Sequence, residues 1–196
     1  VKTKSSVKHL LVDEMQDYSP VQYRLLSKIF PCKKTILGDA AQNVNPYSST
    51  TADDIRKALY KAEIMKLNKS YRSGYEITEL AKSISGNSEI DVVEGHTEKP
   101  QLIEVSSREA EDQLMREMIM EVDVNNPTST AYIFKVEKDA IAFFESLGEL
   151  QKRATLLVSG CQAFTNGIVV TTSHMAKGLE FDEVVIPNVT KANYND

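Results

Sequence analysis

Cysteine is nearly absent: Cys32 and Cys161 are the only two among 196 residues, with neither CxxC spacing nor enough partners for a disulfide framework or a zinc site. Both read as ordinary reduced thiols. No run approaches the roughly 18 apolar residues needed to cross a bilayer, and the opening Val1-Lys2-Thr3-Lys4-Ser5-Ser6 lacks the apolar region of a signal peptide. No membrane partner is expected, and the expected location is cytoplasmic. Positive charge is outnumbered by negative. With 23 Lys and Arg against 28 Asp and Glu the net charge is -5, which argues against a protein that holds nucleic acid mainly by bulk electrostatics, because that mode needs a basic face. Local basic groups remain at Lys2, Lys4 and Lys8 and at Lys66, Lys69 and Arg72; apart from Arg72, each cluster reads more readily as a solvated lysine-rich surface. Internal repeats, heptads and low-complexity segments are lacking as well.

What is present is a globular composition, 41% apolar and 26% charged, enough for one large or two small domains with a proper core. Ser19-Pro20 is a helix start, with Ser19 able to cap free N–H groups and Pro20 suited to the first helical position; Val21, Leu25, Leu26 and Ile29 then offer one apolar face. Thr35 to Leu37 reads as a strand, Asp53 to Lys61 as a helix, Glu63 to Leu67 as a short strand, and Glu76 to Ile84 as a helix with Ile77, Leu80, Ala81 and Ile84 on one side. A polar loop from Gly86 to Pro100 has room for a short strand around Ile90 to Val93. Gln101 to Val105 (strand), Arg108 to Val122 (helix), Thr130 to Phe134 (strand) and Val136 to Leu147 (helix) follow. Ala154 to Val158, Ile168 to Thr172 and Glu183 to Val189 complete a set of apolar, β-branched strands. Strands alternating with helices predict an α/β fold with a parallel sheet flanked by helices.

The stretch with most chemistry is His9-Leu10-Leu11-Val12-Asp13-Glu14-Met15-Gln16-Asp17-Tyr18, an apolar run ending in three carboxylates. In open α/β sheets ligands sit beyond the carboxyl ends of the strands, where Asp13 and Glu14 would emerge. Two adjacent carboxylates there suit a division of labour: Asp13 holds a hydrated Mg²⁺ and Glu14 orients or deprotonates an attacking water, with Asp17 in support. In isolation the same pair would be no more than the acidic start of a loop.

The pair is not isolated. Gly38-Asp39-Ala40-Ala41-Gln42, Ser70-Tyr71-Arg72-Ser73 and His174-Met175-Ala176-Lys177-Gly178-Leu179-Glu180-Phe181-Asp182 follow later strands. With the Asp13-Glu14 stretch, this ordered set resembles motifs II, III, IV and V of the UvrD/Rep-like superfamily 1 DNA helicases. The resemblance implies a RecA-like P-loop NTPase helicase fold, with residues 1–64 as the rear part of a first RecA-like domain and 65–196 as the second. It implies ATP and Mg²⁺ as cofactors and single-stranded DNA as partner. By the same resemblance Asp13 binds the metal, Glu14 activates water, Gln42 senses the γ-phosphate and Asp39 orients its loop. Arg72 stabilises charge on the transferring phosphoryl group and Tyr71 stacks on adenine, unless it is a half-buried core tyrosine. Gly178 and Glu180 lie toward the nucleotide, while Thr171, Thr172 and His174 contact the nucleic-acid backbone. For Asp182 a structural role is expected.

Three departures shape the expectation. No GxxxxGK[ST] phosphate loop occurs, no arginine-bearing motif VI follows motif V, and between Arg72 and Thr171 there is no room for the large 2B insertion. The chain is therefore expected to be the C-terminal region of an ATP-dependent helicase or translocase, to need the N-terminal remainder of the same protein as partner, and not to hydrolyse ATP by itself. Asp17-Tyr18-Ser19-Pro20 resembles the DNA helicase IV and HelD-type branch. Two alternatives follow: an ATP-gated remodelling factor acting on RNA polymerase, or a non-catalytic truncated scaffold.

Overall fold

The computed structural model describes residues 2–39, 51–59, 62–70, 72–86, 90–92, 95–122, 128–160 and 167–194. They fall into two compact units, Val1–Leu102 and Ile103–Asp196. The expected boundary between residues 64 and 65 divides stretches by family likeness; by compactness, the elements on either side of Arg72 fall in the first unit. Both units carry parallel strands flanked by helices, the α/β arrangement expected. No helix among the described residues is long and apolar enough to cross a membrane.

In the first unit β1 (His9–Val12) pairs in parallel with β2 (Lys33–Ile36), Leu10 opposite Lys34 and Val12 opposite Ile36. Between them runs α1 (Pro20–Ile29), started by a reciprocal capping box in which Gln22 N donates to Ser19 Oγ at 3.3 Å and Ser19 N to Gln22 Oε1 at 2.7 Å. Helix α2 (Ala52–Ala58) opens with a second such box, from Thr51 and Asp54. Val12, Tyr23 and Ile55 form the buried centre of this unit, with Leu10, Met15, Tyr18, Leu26 and Ile36 packed around it.

The buried face of α1 follows the aliphatic pattern only in part: Leu26 packs on the core and Ile29 is half-buried, but the other two aliphatic positions are open. Val21 is 73% exposed and Leu25 44%, whereas Tyr23 is 1% exposed. A tyrosine counts as half polar in a periodicity reading, but its ring fills the core here while its hydroxyl donates to the Met15 carbonyl at 2.8 Å. Burial, with Tyr18 and Asp17 nearby, pushes the Tyr23 phenol up to about 12, which keeps it a proton donor. Further along, β3 (Lys69–Ser70) pairs in parallel with β4 (Asp91–Val92) across α3 (Tyr75–Ser85). The expected apolar side of α3 is open, with Ile77 and Leu80 each 45% exposed, and the buried residue is Thr78, whose hydroxyl donates to the Gly74 carbonyl.

The second unit holds a four-stranded parallel sheet in the order β6-β7-β5-β8, formed by β5 (Thr130–Phe134), β6 (Ala154–Leu157), β7 (Ile168–Thr172) and β8 (Glu183–Val185). Every residue of β7 is buried, as expected for a strand covered on both faces. Helix α4 (Arg108–Glu121) starts at Ser107, whose hydroxyl accepts from Ala110 N, and buries Met115 and Ile119; α5 (Glu137–Ser146) buries Ala140 and Phe143. Phe143 lies 6.0 Å from the Tyr132 ring and 5.4 Å from that of Phe134, so α5 is seated on the centre of the sheet.

Two expected strands are not strands. Residues 62–68 and 101–105 are irregular, with Met65, Leu67 and Leu102 more than 80% exposed. Their apolar residues suggested burial, but a strand exists only where a neighbour completes its hydrogen-bond ladder. Strand β8 also ends earlier than expected: Asn188 turns the chain with a left-handed backbone (φ 56), and its N–H donates to Glu111 Oε1 at 2.6 Å.

Candidate functional site

The first group of candidate residues stands where two adjacent strands release the chain. After the last paired residues of β1 and β2 the two backbones stay bonded, with Leu37 N donating to Val12 O and Met15 N to Leu37 O, both at 2.8 Å. This brings Asp13 and Glu14, on the β1 side, against Gly38 and Asp39, on the β2 side. Gly38 is required by that approach, since a Cβ there would lie 2.4 Å from Met15 N and 2.6 Å from Gln16 Oε1. Asp13 is exposed, and one of its oxygens accepts the Glu14 N–H at 2.9 Å. Glu14 itself sits in the left-handed region (φ 53, ψ 56), a conformation that costs a non-glycine residue energy and that tends to persist where surrounding contacts impose it.

Gln16 supplies a contact to the Glu14 side chain, and sequence reasoning passed it over. It is fully buried. Its Nε2 donates to Glu14 Oε2 at 2.6 Å, and its Oε1 accepts from Asp39 N at 3.2 Å. One planar amide thus joins the carboxylate of one loop to the backbone of the other. The only signal in the sequence was a neutral side chain among three acids at the end of a strand.

An exposed carboxylate just beyond a strand end is a ligand of the type Mg²⁺ takes. Mg²⁺ commonly takes one or two carboxylates and completes its octahedron with water and phosphate oxygens. Exposed Asp13 is one such carboxylate; among the described residues no group of three or more His, Cys, Asp or Glu is placed to hold a metal ion. Gln42 and Tyr71 lie outside the described residues.

Arg72 stands on a different loop, exposed, between β3 and α3. The start of α3 behind it is tied to residues 95–97. Tyr75 N donates to Gly95 O at 2.8 Å, the Glu76 carboxylate accepts from Thr97 N at 2.8 Å and meets His96 Nδ1 at 2.8 Å, and the Tyr75 and His96 rings are 5.8 Å apart. Gly74 is again a close-approach glycine, because a Cβ would meet Thr97 Cγ2 at 2.3 Å. The Thr97 N–H, followed by His96, holds the Glu76 carboxyl down to about 2. A carboxylate with a depressed pKa contributes stability that is present above its unfolded value of about 4.5 and is lost as pH falls toward about 2. Thermal melts should therefore show Glu76→Gln less stable than wild type at pH 7, with the gap closing between those two pH values; a gap independent of pH would contradict the clamp.

In the second unit, Thr171, Thr172 and His174 come together at the end of β7, with different exposures. Thr171 is fully buried and its hydroxyl donates to Leu157 O at 2.8 Å, tightening the β6–β7 pair. The Thr172 hydroxyl accepts from Met175 N at 3.4 Å and caps the short helix α6 (Ser173–Ala176), which presents His174 to solvent. Gly178 follows with φ +82, a left-handed turn, and exposed Glu180 comes just after it. Asp182 has the structural role expected: its Oδ2 accepts from Ser129 N at 2.8 Å and from Ser129 Oγ at 2.6 Å, bonds that lower its pKa.

Residues 1–61 match the family model described as the UvrD/REP helicase N-terminal domain. A stretch of 84 residues, 40% of the chain, is 34% identical to DNA helicase II of Haemophilus influenzae and covers 11% of that protein. A stretch of 85 residues, again 40% of the chain, is 34% identical to the ATP-dependent DNA helicase srs2 of Schizosaccharomyces pombe and covers 10% of it. The chain thus spans about a tenth of the length of the curated relatives it matches. The matched model is that of the family's N-terminal domain, which corrects the expectation that the likeness would be to a C-terminal region. Over the residues that carry Asp13, Glu14, Gln16 and Asp39, the chain is similar to the N-terminal domain of the UvrD/REP helicases.

Proposed function

We propose that this chain is part of an ATP-dependent superfamily 1 DNA helicase or translocase of the UvrD kind, in which ATP hydrolysis drives movement on single-stranded DNA. The observation that carries the reading is the amide-bridged meeting of Asp13-Glu14 with Gly38-Asp39 beyond two parallel strands, within a stretch that matches a helicase domain. Asp13 holds Mg²⁺, which when bound neutralises phosphate charge. Glu14 orients or deprotonates the attacking water. Asp39 shapes the loop from which Gln42 reaches the γ-phosphate, and Arg72 stabilises the charge that builds on the phosphoryl oxygens. Tyr71 stacks on the base, while Gly178 and Glu180 approach the nucleotide. His174, exposed on the turn that Thr172 caps, contacts the DNA backbone. The phosphate-loop lysine and hydroxyl come from polypeptide outside residues 1–196, so the activity belongs to the full-length protein.

Strand displacement tests this. The full-length protein should release the labelled strand of a partial duplex with a single-stranded tail only when ATP and Mg²⁺ are both present. Release that ignores ATP, or no ATP-dependent movement on single-stranded DNA, would contradict the proposal.

A further inference from the structure

We infer that Gln16 is a positioning residue that couples the orientation of the Glu14 carboxylate to the position of the loop carrying Asp39; the inference rests on the reading of Glu14 as the group that orients water. A primary amide has one donating and one accepting end, and here both are committed: Nε2 to Glu14 Oε2 at 2.6 Å, Oε1 to Asp39 N at 3.2 Å. Turning the amide over would set oxygen against carboxylate and NH₂ against N–H, so the two bonds stand or fall together. The side chain is 0% exposed, so bulk water does not reach it, and a hydrogen bond to a charged carboxylate in such a setting is strong.

The surroundings allow little slack. Glu14 is held in a left-handed backbone, Met15 N is bonded to Leu37 O, and Gly38 lies so close that a Cβ would reach Gln16 Oε1 at 2.6 Å. A displacement of the Gly38-Asp39 loop therefore moves the amide, and the amide moves the carboxylate. The same link runs in reverse. In a nucleotide-driven motor this would let the loop before Gln42 switch the water-orienting carboxylate between aligned and misaligned states without touching the water itself.

The test is a double-mutant cycle in the full-length protein, read as kcat and KM for ATP with single-stranded DNA present. Gln16→Met keeps the length and removes both bonds; kcat should fall about 10- to 100-fold, the cost of a small misplacement of a reacting group, with KM changed less than about threefold. In a Glu14→Gln background the same change should cost nothing further, because the group it positions is gone. Gln16→Glu keeps an acceptor for Asp39 N but replaces the donor to Glu14, and it should lose kcat to a similar extent, serving as the second probe should Gln16→Met fail to fold. Wild-type kcat in either folded variant, equal losses in both backgrounds, or failure of both variants to fold would overturn the coupling. Wild-type turnover in Glu14→Gln alone would overturn the underlying reading of Glu14 and the coupling with it.

Discussion

Arg72→Ala in the full-length protein is expected to lower kcat for ATP by about 10³- to 10⁵-fold, the range over which a phosphoryl-stabilising arginine acts. Charge on the transferring phosphoryl group is largest in the transition state, so the loss should fall on kcat and leave ATP affinity nearly intact. Arg72→Lys should recover little. A lysine carries the charge as a single point on a flexible stem, whereas the guanidinium presents a planar fork of donors. The structure gives a reason for the precision this needs: Arg72 is two residues ahead of Gly74, and Gly74, Tyr75 and Glu76 are fastened to residues 95–97. Presteady-state measurement of ATP binding and cleavage separates the two quantities. Weakened binding with unchanged cleavage would assign Arg72 to the ground state and contradict this role.

Glu14→Gln is expected to cost about 10²- to 10⁴-fold in kcat, the usual contribution of a positioned proton acceptor. The substitution is nearly isosteric, and the Gln16 Nε2 donor still finds an oxygen, so the fold and the Asp39 link should survive. The left-handed backbone at this position also remains unchanged. Trapping should be the visible consequence: the variant binds ATP and Mg²⁺ but holds them uncleaved. A folded Glu14→Gln protein that turns over ATP at the wild-type rate would remove Glu14 from the chemistry.

How much of this was legible in the sequence depended on whether the signal was local. Strands β5 and β7 lie where their continuous β-branched and aromatic runs place them, since a strand buried on both faces needs no alternation. The start of α1 was equally plain, because Ser19, Pro20 and Gln22 specify it among themselves. Its buried face was not, because Tyr23 takes the core position through a hydrogen bond to Met15 that no periodicity encodes. Residues 63–67 and 101–105 misled for the complementary reason: their apolar composition is local, but their lack of a pairing strand is a tertiary fact.

The candidate site divides in the same way. Asp13, Glu14 and Asp39 were readable as acids just beyond strands. Gln16 was not, because one of its two bonds is to a partner 23 residues away across a parallel pair. The glycines tell the same story: Gly38 and Gly74 look like ordinary loop residues, and only the approach of Met15 and Thr97 shows why a side chain has no room there. Thr171 and Thr172 looked interchangeable in sequence, yet one hydroxyl is spent inside the sheet and the other caps a turn.

The most direct test of the central claim is ATP hydrolysis by the full-length protein with and without single-stranded DNA. The account predicts Mg²⁺-dependent turnover that rises when single-stranded DNA is added, and loss of that turnover in Glu14→Gln and Arg72→Ala. Turnover that is absent, or that is indifferent to DNA and to both substitutions, would contradict it.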